Sequence, residues 1–136
     1  LKGTMRTFDE NDRKLIKNRI KKISSEIARS FGVKSRVKID EGYPVLKNDV
    51  GFTNSLRDNA IDFLGEDKVK SLPQLMTAED FAWYAHRVKA CMYRIATSNI
   101  EKGIVSKQHT STFDIDEDAL ETGVGLMTYL ALSACE

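Results

Sequence analysis

The stretch IKNRIKKISSEIARSFGVKSRVKID, residues 16–40, contains a helix pattern and a strand pattern separated by one glycine. An apolar residue recurs every three or four positions, which predicts one stripe on an α-helix: Ile16, Ile20, Ile23, Ile27 and Phe31. Gly32 stands where helices favour a left-handed residue after their last turn. Beyond it, Val37 and Ile39 alternate with charged side chains, which is typical of a strand with one solvent-facing side.

The neighbouring segments extend this pattern in both directions. GTMRTF (3–8) is rich in strand-forming residues, and DENDR (9–13) supplies side chains that can cap a helix and acids for its first turn. Pro44 indicates that strand pairing ends near Tyr43. Residues 3–43 are therefore predicted to form a β-α-β unit.

The rest of the chain is predicted to continue the alternation of helices and strands. The predicted elements are a helix over 52–63 before Gly65, a short strand at 68–72, a helix over 77–88, a buried strand at 90–96 and a largely buried helix over 116–134 capped by Asp116. This order, α-β-α-β-α after β-α-β, predicts a layered α/β fold.

Charge and hydropathy exclude several functional classes. Lys and Arg number 21 against 20 Asp and Glu, so a net charge of +1 gives no field that would attract nucleic acid or an anionic membrane. The basic run RKLIKNRIKK (13–22) is interleaved with Leu15, Ile16 and Ile20, as on the solvated face of an amphipathic helix. No apolar run reaches the roughly 20 residues that span a bilayer.

Two further features concern the setting of the chain. Cys91 and Cys135 lie far apart without metal-ligand spacing, which predicts free thiols and favours the cytoplasm. The sequence begins with Leu1 in what resembles the middle of a strand. This start indicates a piece of a longer polypeptide.

Few residues could carry chemistry. Glu79 and Asp80 can be read as helix-capping acids, with Thr77 and Asp80 at capping-box spacing, or as carboxylates at the mouth of a site. His86 is predicted to be a packed or half-exposed helix residue. No nucleophile elbow or Gly-rich phosphate loop occurs, and Gly123 and Gly125 are predicted to permit close helix packing.

His109 lies in a polar connection, 99–114, before the last predicted helix. Loops at the ends of buried strands often carry sites, so His109 is either a metal ligand or base, or a polar loop residue. A hydrolytic zinc needs at least three protein ligands, and the two histidines of this chain are not at ligand spacing. The chain alone is not expected to assemble such a site.

Four stretches in this order resemble the C-terminal third of the M20 family of metallopeptidases and amidohydrolases. They are GTMRTFD (3–9), GYPVLKND (42–49), TAEDFAWY (77–84) and HTSTFDIDEDAL (109–120). The nearest branch contains N-acyl-amino-acid amidohydrolases, hippurate hydrolases and auxin-conjugate hydrolases. The resemblance covers nearly the whole chain.

This resemblance implies a two-domain enzyme with a site for two divalent metal ions, zinc, manganese or cobalt. Residues 1–46 would be the second half of a β-α-β lid that often serves dimerisation. Residues 47–136 would be the C-terminal α-β-α-β-α part of a zinc-peptidase-like catalytic domain. The expected partners are a small N-acyl amino acid or peptide substrate, and a second copy or the missing N-terminal part of the same protein.

The resemblance also implies roles for individual residues. His109 occupies the position of a metal-binding histidine, and Glu79 and Asp80 match acids adjacent to the site. The family's usual glycine is replaced by Thr77 or Ala78, and VKA (88–90) replaces a common VPG turn. The family's H-x-C-G-H-D stretch and paired glutamates, which lie before the lid, do not occur in this chain.

Two functions are therefore expected. The first is the C-terminal portion of a hydrolase in which metal-activated water attacks an amide carbonyl while a glutamate shuttles the proton, with the isolated chain inactive. The second is a non-catalytic interaction or dimerisation module that descends from the same family.

Overall fold

The structure is a computed structural model that describes residues 1–135. Its regular elements are four α-helices and one 3-10 helix. In chain order these are α1 (Glu10–Ser30), α2 (Val50–Leu64), the 3-10 helix Glu66–Lys68, α3 (Ala82–Ala85) and α4 (Asp118–Ser133). No helix within the described range is long and apolar enough to cross a bilayer.

The predicted α/β fold is wrong, because residues 1–135 contain helices but no β-strand. The segments predicted as strands, 3–8, 35–43, 68–72 and 90–96, have no ladder partner. The single β-bridge of this range pairs Asn99 with Ile104 inside a turn. Neither the β-α-β lid half nor the strands of the catalytic part are therefore formed.

Alternating burial without strand pairing explains the error at residues 36–40. Val37 and Ile39 are half-buried, whereas Arg36, Lys38 and Asp40 are exposed. The alternation therefore correctly marks which side chains turn inward. A strand, however, also needs a neighbour for its backbone N–H and C=O groups, and the pattern of one segment does not reveal whether that neighbour exists.

Side chains of α1 bind the backbone that follows this segment. Arg13 donates to the carbonyl oxygens of Tyr43 (3.0 Å) and Gly42 (3.3 Å), and Glu10 accepts a hydrogen bond from the Val45 N–H (2.8 Å). Lys17 forms an ion pair with Glu41. The backbone hydrogen-bonding groups of residues 42–45 are thus satisfied by side chains of α1, whereas in a sheet a second strand would satisfy them.

The amide of Asn48 has a similar role beside the predicted strand at 90–96. Its Nδ2 donates to the Met92 carbonyl oxygen (2.9 Å), and its Oδ1 accepts from the Met92 N–H (3.0 Å). The Asp49 N–H also donates to the Ala90 carbonyl oxygen (2.9 Å). One side chain and one backbone group therefore supply the hydrogen bonds that a paired strand would provide.

The prediction for α1 is confirmed. The Asp9 carboxylate caps it by accepting from the N–H groups of Asn11 (2.7 Å) and Asp12 (3.1 Å), and Gly32 follows its end with φ 69°. The helix nevertheless has no buried residue. Its apolar stripe is exposed in this structure, from 37 % at Ile16 to 78 % at Phe31.

The core lies between α2 and α4. Its buried members are Leu56, Ala60, Leu126 and Leu130. The Phe63 and Tyr129 rings stack beside them with centroids 5.2 Å apart. The predicted close packing at the glycines is confirmed, since a Cβ on Gly125 would lie 3.1 Å from Phe63 Cζ and one on Gly123 3.0 Å from Ile95 Cδ1.

The other helix predictions need correction at their boundaries. The helix predicted over 77–88 is reduced to Ala82–Ala85, and no side chain caps it, so the Thr77–Asp80 capping box does not form. The last helix begins at Asp118, not at 116, and the predicted cap by Asp116 is wrong, because the N-cap residue is Glu117 and Asp116 accepts only a long bond from the Asp118 N–H (3.4 Å). It is also less buried than predicted, because Val124 and Leu132 are about two-thirds exposed.

The chain forms two compact units. The first comprises Leu1–Lys47 and Pro73–Lys89, and the second comprises Asn48–Leu72 and Ala90–Glu136, of which residues up to 135 are described. The α2–α4 core belongs to the second unit, whereas α1 and α3 belong to the first.

Candidate functional site

His109 lies at the tip of the connection between residues 99 and 116, in the second unit. The residue is exposed and has φ 65°, the single positive φ of a non-glycine residue among residues 1–135. A left-handed backbone costs a residue with a Cβ roughly 1–2 kcal/mol, so the surrounding turn must stabilise it. The imidazole is accessible to a ligand from solvent.

Hydrogen bonds within the tip form this turn. The hydroxyls of Ser106 and Thr112, three residues to either side of His109, lie 2.9 Å apart. The Thr110 hydroxyl donates to the Lys107 carbonyl oxygen (2.8 Å), and the Phe113 N–H donates to the Thr110 carbonyl oxygen (3.2 Å). The tip is thus closed by its own serine and threonine side chains.

A group of three side chains, Asn99, Lys102 and Asp116, closes the base of the same connection. The Asp116 carboxylate accepts from Asn99 Nδ2 and from Lys102 Nζ, both at 2.6 Å, and the Asp116 N–H donates to the Thr97 carbonyl oxygen (2.8 Å). Lys102 also binds Asp118 at 2.6 Å. We call Asn99, Lys102 and Asp116 the clasp.

The charges of the clasp stabilise one another. The hydrogen bond from Lys102, followed by that from Asn99, holds the pKa of the Asp116 carboxyl below its usual value. The hydrogen bonds to Asp116 and Asp118 raise the pKa of the Lys102 ammonium above its usual value. The Asp116 side chain is 13 % exposed but that of Lys102 is 48 % exposed, so solvent screens the ion pair on the lysine side.

Glu79 and Asp80 lie in the first unit, just before α3. Glu79 is half-buried and Asp80 is exposed, and their carbonyl oxygens accept from the N–H groups of Ala82 (3.3 Å) and Trp83 (3.0 Å). These bonds involve the backbone and leave both carboxylates available. Because His109 belongs to the second unit, neither unit alone brings the three predicted site residues together.

His86 is exposed, and its Nε2 lies 3.0 Å from the Val45 carbonyl oxygen. The prediction of a packed or half-exposed helix residue is wrong, because His86 is exposed and follows the last residue of α3. Neither the clasp nor the role of Asn48 was predicted from the sequence. The signal for the clasp was the NIEKG stretch (99–103), where an asparagine and a glycine mark a turn, and Gly103 indeed has φ 72°.

The described residues do not form a metal site by themselves. Across residues 1–135, no group of three or more His, Cys, Asp or Glu side chains could hold a metal ion. His109 can therefore supply one imidazole ligand, which is fewer than the three protein ligands of a catalytic zinc. No metal-dependent step can be assigned to this chain alone.

The sequence defines the family to which this chain belongs. Residues 9–133 match the profile of Peptidase family M20/M25/M40, which covers most of the chain. The chain therefore belongs to this family, whose enzymes are metal-dependent. The resemblance to M20 enzymes noted from its four stretches is confirmed.

Individual relatives match nearly the whole chain but only part of their own length. IAA-amino acid hydrolase ILR1-like 6 of Arabidopsis thaliana is 34 % identical over 135 residues, covering 96 % of this chain and 29 % of the relative. An uncharacterized hydrolase of Staphylococcus haemolyticus is 34 % identical over 122 residues, covering 88 % and 31 %. The chain thus spans about a third of these relatives. No solved structure matches it.

Proposed function

We propose that this chain is the C-terminal portion of a metal-dependent amidohydrolase that hydrolyses N-acyl amino acids or small peptides. The observation that carries the proposal is the family match over residues 9–133, together with a relative whose name states that it hydrolyses an IAA-amino acid. Metal-activated water is the nucleophile in this proposal, acting on an amide carbonyl.

In the proposed enzyme, His109 is a ligand of one of two divalent metal ions. Its exposure and its place at the tip of a closed connection support this role. Glu79 and Asp80 are proposed to lie beside the site, where a carboxylate can orient a ligand or bind a substrate amine. The remaining ligands and the glutamate base come from polypeptide outside this chain, because three ligands do not converge within residues 1–135.

We assign residues 1–46 to the lid region of that enzyme and residues 47–136 to the C-terminal part of its catalytic domain. Cys91 is a half-buried free thiol and Cys135 an exposed one, which favours a reducing compartment, the cytoplasm. The proposed partners are the small-molecule substrate and either a second copy or the N-terminal part of the same protein.

A chimera tests this proposal directly. The chain replaces the matching region of the Staphylococcus haemolyticus hydrolase, and hydrolysis of N-acyl amino acids and bound metal are measured. We expect the chimera to bind metal and hydrolyse such substrates, and the isolated 136 residues to do neither.

Two variants of the chimera assign the role of His109. His109→Ala should lose activity and metal, whereas His86→Ala, the matched control, should retain both because the His86 ring is hydrogen-bonded to the backbone carbonyl of Val45. A His109→Ala chimera with full metal content, or robust activity of the isolated chain with stoichiometric metal, would contradict the proposal.

The exposed stripe of α1 favours a second candidate function, a non-catalytic interaction or dimerisation module. A 21-residue amphipathic helix without a buried residue presents the type of surface that protein partners cover. Sedimentation over a concentration series tests this function. Ile23→Glu should abolish an oligomer that Asn18→Glu, on the opposite face of α1, leaves intact. A monomer at all concentrations would exclude self-association.

A further inference from the structure

We infer that Lys102, Asn99 and Asp116 are positioning residues that fix the backbone of residues 106–112 and thereby present the His109 imidazole. This inference rests on the proposed function, in which His109 binds metal. It concerns side chains seven or more residues away in sequence; Asn99 and Lys102 carried no predicted role, and Asp116 was predicted only to cap the last helix.

The first argument is the way in which the connection is closed. Asn99 and Asp116 are 17 positions apart, yet their side chains meet at 2.6 Å. A connection of this length would otherwise sample many conformations, and joining its ends removes most of that freedom. The Ser106–Thr112 contact at 2.9 Å closes it again nearer the tip.

The second argument is the arrangement of hydrogen bonds around Asp116. Its two carboxylate oxygens have different partners: Oδ2 accepts from Asn99 Nδ2, and Oδ1 accepts from Lys102 Nζ. Its backbone N–H donates to the Thr97 carbonyl oxygen. Together with a longer bond from the Asp118 N–H to Oδ1 (3.4 Å), these contacts restrain both the position and the rotation of this residue. The Lys102 N–H also donates to Asn99 Oδ1 (3.1 Å), so the two clasp residues on the N-terminal side of the connection are joined to each other.

The third argument is the conformation of His109 itself. A histidine with φ 65° is less stable than one in an ordinary region, so the turn relaxes if its ends are released. The imidazole direction follows from the backbone because the Cβ position is set by φ and ψ. Release of the clasp therefore changes where the imidazole points, although no clasp residue needs to contact it.

Amide relaxation by NMR on the isolated chain tests the effect on order. In the unmodified chain, the order parameters of His109 and Thr110 should be close to the value of about 0.85 for rigid backbone. Asp116→Asn should lower them below about 0.6 while the α4 amides of Leu126 and Leu130 keep their values. Unchanged order at His109 in this variant would overturn the inference.

Control variants separate positioning from stability. Asp67→Asn breaks another aspartate–lysine pair of the second unit, Asp67–Lys68 at 3.1 Å, and should leave His109 ordered. Lys102→Arg should retain order because it keeps the ion pair. If Asp116→Asn does not fold, Lys102→Met replaces it, since it removes the cation and keeps the Thr97 and Asn99 bonds. For this variant too, an unchanged order parameter at His109 would overturn the inference.

Zinc binding to the chimera links order to function. Replacing residues that support metal ligands typically changes metal affinity by 10–100-fold, so Asp116→Asn should weaken zinc binding about tenfold or more. Lys102→Arg, which keeps the ion pair, should bind zinc as the unmodified chimera does. Undiminished zinc affinity in Asp116→Asn would overturn the inference. If His109→Ala binds zinc as well as the unmodified chimera, the proposed function fails instead, whatever the order measurements give.

Discussion

Helices α1 and α4 differ both in their apolar pattern and in what covers it: α1 has one apolar stripe on a largely charged helix, whereas α4 is apolar over much of its surface. α4 buries Leu126 and Leu130 against α2, whereas α1, the longer helix, buries none of its stripe. An amphipathic pattern therefore predicts that a helix forms, but not that its apolar face finds a partner within the chain. In this molecule the α2–α4 pair provides the stability, and α1 is held by caps and polar contacts at its ends.

The largest expected difference between the two helices is in core truncation. Leu130 is 4 % exposed, so Leu130→Ala should lower the free energy of unfolding by about 3 kcal/mol. Ile23 is 50 % exposed, so Ile23→Ala should change it by no more than about 0.5 kcal/mol. Urea unfolding followed by circular dichroism measures both. Equal losses would mean that the α1 stripe is covered in solution.

The two caps should differ in the kind of effect. Asp49 caps α2 by accepting from the Phe52 N–H (2.8 Å), so Asp49→Ala should lower the free energy of global unfolding by about 1 kcal/mol. Asp9→Ala removes the same kind of bond from α1, where fraying is not coupled to a core. The effect of Asp9→Ala should appear as a loss of helical ellipticity at urea concentrations below the global unfolding transition. An unchanged ellipticity in that range would contradict local fraying of α1.

The two α4 glycines should respond differently to alanine. A Cβ on Gly123 meets the end of the partly exposed Ile95 side chain, which can rotate away. Gly123→Ala should therefore raise the free energy of unfolding by about 0.5–1 kcal/mol, because alanine has the higher helix propensity. A Cβ on Gly125 meets the Phe63 ring, which is stacked on Tyr129. Gly125→Ala should be less stable than Gly123→Ala by about 1 kcal/mol in thermal unfolding, and the reverse order would contradict this packing.

The smallest effect is the pH dependence of the clasp. The folded-state pKa of Asp116 lies below its unfolded value, so its contribution is present above about pH 4 and is lost as the pH falls through the folded pKa. The pKa of Lys102 is raised, so its contribution is complete below the unfolded value of 10.5 and lost at higher pH. Asp116→Asn should weaken the pH dependence of the free energy of unfolding below pH 4, whereas Asp118→Asn should retain most of this pH dependence. A carboxyl titration by NMR checks the direction of the Asp116 shift.

Local signals were sufficient where structure depends on neighbours in sequence. The spacing of the isoleucines in α1, Asp9 before them and Gly32 after them gave a helix with correct ends. The position of His109 in a connection before the last helix was also predictable. These features need only helix geometry and capping chemistry.

The features that could not be predicted from the sequence depend on contacts between residues far apart in the chain. Val37 and Ile39 alternate as a strand would, but α1 side chains bind the backbone that follows them. The Thr77–Asp80 spacing predicted a cap that does not form, because spacing does not fix the backbone before the helix. The clasp joins residues 17 positions apart, and no periodicity connects Asn99 with Asp116.

The pairing of α2 with α4 also sets the timing of folding. Leu56 can be buried only after Leu126 has been synthesised, so formation of the core requires almost the whole chain. Helix α1, in contrast, depends on local contacts and can form within about a microsecond. At a synthesis rate of roughly 5–20 residues per second, several seconds separate the emergence of α2 from that of α4. During that interval the apolar face of α2 has no core partner and stays exposed to solvent.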